Sequence, residues 1–133
     1  MFMNKIQALA NEMKQFFSPQ TVTNVYSICK QLEIEIVEAP IQADAYLECE
    51  NGNSYIVLKE SLNRKRKKFT IAHELGHFYI PWHSELMFGC DIKEMDFKND
   101  YAPREKEANL FAAELLMPMK EFKNHFSGKI CYT

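Results

Sequence analysis

The chain has 133 residues, with sixteen Lys and Arg against eighteen Asp and Glu (a formal net charge of -2), 47% hydrophobic types and 26% charged types. That length fits one domain, and the balance excludes a disordered, collagen-like or linker-like chain and a polyanion-coating protein reliant on many neutralised phosphates. No apolar run approaches a membrane span and the first residues lack the apolar core of a secretory signal, so one cytoplasmic domain over 1–133 is expected.

Phe2, Ile6, Leu9, Met13 and Phe16 recur at helical spacing, one stripe of an amphipathic helix that Ser18-Pro19 stops. Pro19 can open a second helix, along which Val22, Val25, Tyr26, Cys29 and Leu32 repeat the spacing. From Glu33 the period becomes two: Ile34 and Ile36 alternate with Glu33 and Glu35, a strand ending at Pro40. Residues 45–50 and 54–58 flank Asn51-Gly52-Asn53 and read as a hairpin with a three-residue loop. After Leu62 a helix carries Ile71, Leu75 and Phe78 on one stripe and small Ala72 and Gly76 on another, ending near Tyr79 or Ile80 before Pro81. Residues 84–103 read as an irregular connection. Residues 104–117 form the last strong helix, with Ala108, Phe111, Ala112 and Leu115 as its buried stripe. Pro118 opens a short helix through about Phe126. The fold class is α+β, helices around a small, mostly antiparallel sheet. Cys29, Cys49, Cys90 and Cys131 show no CxxC or finger-like spacing and read as reduced, structural residues.

His73-Glu74-Leu75-Gly76-His77 is an H-E-x-x-H on the middle helix. Residues four apart share a face, so His73 and His77 can hold one metal ion. Glu74, one position round, can reach a metal-bound water as general base without being an easy ligand. Zinc held by three protein groups keeps a fourth position for that water and lowers its pKa towards neutrality. Two histidines merely hydrogen-bonded on a helix face are the bland alternative. Gly76 argues against it, since glycine costs a helix ~1 kcal/mol relative to Ala unless something must approach closely.

Three residues compete as third ligand. Glu107 lies thirty residues beyond His77 on a separate helix, beside small Ala108, and would complete a His₂Glu set. His83 fits the H-E-x-x-H-x-x-G-x-x-H spacing, although Ile80 stands where that pattern has its glycine. His125 is the third candidate.

Arg66-Lys67-Lys68-Phe69-Thr70-Ile71-Ala72-His73-Glu74-Leu75-Gly76-His77 and Glu105-Lys106-Glu107-Ala108-Asn109-Leu110-Phe111-Ala112-Ala113-Glu114-Leu115-Leu116-Met117-Pro118 together resemble the two signature blocks of the ImmA/IrrE family of metallo-endopeptidases. The resemblance covers roughly Val22 to Phe126, a core of about 21–126 behind an N-terminal helix within 1–20. It implies a zincin-like, thermolysin-like active helix and a zinc site completed by the glutamate of E-A-N, Glu107 in this sequence. It also implies a protein substrate, a helix-turn-helix transcriptional repressor controlling a mobile element or stress genes.

The expected function is therefore a zinc-dependent endopeptidase, with His73, His77 and Glu107 on the metal and Glu74 as base; Mn²⁺ is a second option for the same ligands. The alternative is a metal-stabilised, non-catalytic module that regulates a repressor or toxin by contact. Tyr79, Tyr101 and His125 are candidate oxyanion donors, and Glu114 is a candidate for orienting a histidine. Arg64-Lys65-Arg66-Lys67-Lys68, the one charge run, lacks interleaved aromatics. It reads as a solvated helix junction, so neither direct nucleic-acid binding nor membrane association is expected.

Overall fold

The computed structural model describes residues 2–83 and 102–118. Its first helix, α1 (Phe2–Phe17), buries Ile6, Ala10 and Met13, while Phe16 is 70% exposed. The inner stripe is thus turned slightly from the expected one, with Ala10 and the partly buried Phe17 in place of Phe16. Buried Lys14 closes the helix end: its ammonium donates to the carbonyl oxygens of Ser18 and Gln20, a cation set where the helix dipole is negative.

Pro19 does not start the second helix. Residues 18–24 form a link in which Ser18 Oγ accepts the Asn24 N–H at 2.9 Å and Thr23 Oγ1 donates to the Leu115 carbonyl at 2.7 Å. Helix α2 (Val25–Gln31) begins at Asn24, whose side chain accepts the Ser27 N–H, an ordinary N-cap. Val22 consequently stays outside the helix, exposed. Cys29 sits in the core on α2, and burial pushes its thiol up to about 12.

Glu33, at φ 61, turns the chain into β1 (Ile34–Ala39). The hairpin follows as β2 (Ala45–Glu50) and β3 (Asn53–Lys59). Asn51 and Gly52 both take positive φ, 54 and 82. That is the two-residue type I′ turn, shorter than the three-residue loop expected, because Asn53 pairs with Glu50 instead of belonging to the loop. The strand order is β1-β3-β2, with β1 parallel to β3 and β2 antiparallel to it. The sheet is therefore mixed. β1 runs beside the second hairpin strand, a pairing that period-two alternation does not encode. Ile34, Leu47, Ile56 and Leu58 are all buried under the helices.

Helix α3 (Arg64–Tyr79) starts at Asn63, whose side chain accepts the Arg66 N–H at 2.8 Å. Its basic first turn is unfavourable against the helix dipole. Two carboxylates from the sheet side offset this: Arg66 pairs with Asp44 at 2.6 Å and Lys67 with Glu38 at 3.0 Å. A 3₁₀ turn (Pro81–His83) follows and carries His83 into the interior, fully buried. The last described helix, α4 (Ala102–Leu116), packs on both α1 and α3. Its stripe Ala108, Phe111, Ala112 and Leu115 is completely buried, as the spacing suggests. A Cβ on Gly76 would stand 3.1 Å from Phe111 Cβ, so this glycine sets the closeness of α3 and α4. Among the described residues no helix is long and apolar enough to cross a membrane. The helix expected after Pro118, and most of the connection before α4, lie outside the described residues.

Candidate metal centre

Helical phase brings His73 and His77 together on α3, their ring centroids 4.9 Å apart and nearly perpendicular. The carboxylate that meets them comes from the first turn of α4, and it is Glu105. Its two oxygens lie 2.9 Å from His73 Nε2 and 3.1 Å from His77 Nε2. One ligand atom from each of the three residues falls within 4.8 Å of the others.

Glu107, the expected third ligand, does not join them. Two positions further along α4 its side chain projects to a different side of the helix. There its Oε1 accepts the Trp82 indole N–H at 2.7 Å and faces His83 Nε2 at 2.8 Å. His83, the rival candidate, stands behind His77 with its Nδ1 2.9 Å from His77 Nδ1. His125 lies outside the described residues.

The surrounding groups fit a cation. His73 Nδ1 donates to the side-chain oxygen of Asn109 at 2.8 Å, leaving Nε2 aimed at Glu105. Glu105 and Asn109 are four apart, so they present one face of α4 to the histidines. That spacing is the sequence signal that could have selected Glu105 over Glu107. Two imidazole nitrogens and one carboxylate, with the far ring nitrogens held from behind, make a donor set that suits a divalent metal ion.

The electrostatics agree. Burial alone would raise the Glu105 carboxyl, but hydrogen bonds and attraction from His73 and His77 outweigh it and hold the group well below the usual carboxylate range. Burial works to lower His73, yet the Glu105 bond, the Glu74 and Glu105 charges and the Asn109 bond carry its pKa upward. His83 goes the other way, lowered to about 4 by burial and by its neighbour His77 against the pull of Glu107.

Glu74 is buried and lines the same cleft of about 330 Å³ as His73, His77, Glu105 and Asn109. The opposite wall is Asp44 to Leu47, at the start of β2, an edge strand of the described sheet. Arg66 and Phe69 complete the α3 side. Tyr79 is directed elsewhere: its ring packs 6.2 Å from that of Phe111, and burial together with the nearby Glu12 carboxylate of α1 raises the pKa of its hydroxyl. Glu114 is buried on α4 and is not among the cleft-lining residues. Tyr101 lies outside the described residues.

Comparison with known proteins places this arrangement. The family described as IrrE N-terminal-like domain matches residues 29–132. The Bacillus phage phi105 protein called uncharacterized immunity region protein 2 is 30% identical over 108 residues, covering 77% of this chain and 65% of that protein. Metallopeptidase ImmA of Bacillus subtilis (strain 168) is 26% identical over 115 residues, covering 86% of this chain and 66% of the relative. The chain thus spans just under two thirds of the length of each. With the family domain matched across most of its residues, the chain belongs to the ImmA/IrrE family of metallopeptidases.

Proposed function

We propose that the chain is a zinc-dependent endopeptidase whose cation is held by His73, His77 and Glu105 and whose general base is Glu74. The observation that carries this reading is the meeting of two histidine Nε2 atoms and both Glu105 oxygens in a cleft that Glu74 also lines. A zinc ion held there would polarise the scissile carbonyl and bring the pKa of a water near neutrality, and Mn²⁺ suits the same donors. Glu74 takes the proton of the attacking water and passes it to the leaving amine. Asn109 keeps the His73 ring oriented through its Nδ1. An extended substrate segment runs along the cleft between β2 and α3, in the manner of strand addition.

The substrate is a helix-turn-helix repressor. Support comes from the names of the relatives, one an immunity-region protein of a phage and the other a metallopeptidase. A repressor substrate places the reaction in the cytoplasm. The test needs a candidate substrate, which a helix-turn-helix gene neighbouring that of this chain would nominate. Glu74→Gln should keep one equivalent of zinc and lose at least ~10²-fold in the rate of cutting, the usual contribution of a positioned base. Full cleavage by that variant would sink the mechanism. Equal release of the repressor from its operator by both forms, without cutting, would instead favour a module acting by contact.

A further inference from the structure

His83 is fully buried, although the centre proposed above does not use it as a ligand. It bridges His77 and Glu107, so its protons follow from its two neighbours. At one end a carboxylate oxygen of Glu107, Oε1, accepts the indole N–H of Trp82 and faces His83 as an acceptor. His83 must therefore donate from Nε2 across the 2.8 Å contact. The two Nδ1 atoms of His83 and His77 share one proton, and a His77 Nε2 free to bind a cation leaves that proton on His77, so Nδ1 of His83 is the acceptor. Nδ1 of His77, 2.9 Å away, then carries the shared proton. With its proton there, His77 presents a bare Nε2 to Glu105 and the cleft.

Building on the metal centre above, we propose that Glu107 is a positioning residue: acting through His83, it holds His77 in the tautomer whose Nε2 can bind a cation. The reverse arrangement sets the bare Nε2 of His83 against a carboxylate lone pair and puts the His77 proton on the ligand nitrogen. The chain path supports the row. Pro81 ends α3, and the 3₁₀ turn, closed by the His83 N–H on the Ile80 carbonyl at 2.9 Å, folds His83 back beneath His77. Trp82 in the same turn donates to the same carboxylate oxygen and helps hold it in place. Glu107 thereby serves the centre without touching the cation.

The test measures zinc affinity by chelator competition on the whole chain, alongside ¹⁵N spectra of the histidine rings in the zinc-loaded form. Glu107→Ala should weaken zinc binding by about 10–100-fold, the range for lost partners behind a ligand. The wild-type spectrum should show His83 protonated at Nε2 and His77 at Nδ1. Glu107→Gln keeps the side-chain volume but can donate as well as accept, so it serves if the alanine variant fails to fold. It should show a smaller loss of affinity, with His83 divided between its two tautomers. Unchanged zinc affinity in both variants, or a His83 proton on Nδ1 in the wild type, would overturn the assignment. His73→Ala separates the two levels. If it loses zinc while the Glu107 variants do not, only the role of Glu107 falls; if it too binds zinc as tightly as the wild type, the centre itself falls.

Discussion

Two positions along a helix rotate a side chain by about 200°. At 105 and 107 that rotation decides which glutamate meets the histidines and which stands behind them. Gly76 is the second residue on which the centre depends. The two helices that supply its donors approach so closely there that an added Cβ would press on Phe111 at 3.1 Å. Alanine would gain up to ~1 kcal/mol of helix propensity. Phe111 is fully buried and cannot give way cheaply, so overpacking of about 1–3 kcal/mol should outweigh that gain. Gly76→Ala is therefore expected to lower the urea midpoint of unfolding; a raised midpoint would show that α4 can move aside. The H-E-x-x-H and the need for this glycine were legible from residue types alone. The third donor was not, because Glu105 and Glu107 are chemically identical and only the facing of α4 towards α3 distinguishes them. The Glu105–Asn109 spacing held that information in a form read only once the pair is set against His73.

At the scale of elements, the strongest periodic signals became the observed helices and strands within a few residues. Departures occurred where a side chain overrode the pattern. Pro19 is permitted in a first helical turn, but Asn24 caps α2, and Ser18 and Thr23 instead anchor the link. The parallel pairing of β1 with β3 is a choice of neighbour, set by packing under the helices and invisible in the alternation of one strand. The hairpin turn was recognised by composition, and its length followed from two positive φ values in succession. Gly52 has open space where a Cβ would go, so only its backbone conformation resists replacement. Gly52→Ala should cost about 1–2 kcal/mol, the penalty of a left-handed conformation for an L-residue, read from chemical denaturation. A neutral result would mean that the turn relaxes to another type. The loss should spare zinc binding, since the cleft is lined from the opposite end of β2.

Across the whole molecule, a net charge of -2 conceals a local arrangement of opposite charges. The basic run opening α3 is tied at two points to acidic groups beside the sheet, which fixes that helix against the wall of its own cleft. Each exposed pair contributes little alone, roughly 0–1 kcal/mol. Their position matters more, because Arg66 and Asp44 both line the cleft in which the substrate would lie. In the proposed centre α3 would supply two histidines and the base, α4 a carboxylate and its supporting amide, and the 3₁₀ turn a brace for the second histidine. In the proposed centre Glu105, and not Glu107, completes the donor set. A zinc-edge anomalous difference map from crystals of the zinc-loaded chain tests it most directly. One peak is expected about 2.0–2.2 Å from His73 Nε2, His77 Nε2 and a Glu105 oxygen; a peak coordinated by Glu107 with Glu105 turned away would contradict the assignment.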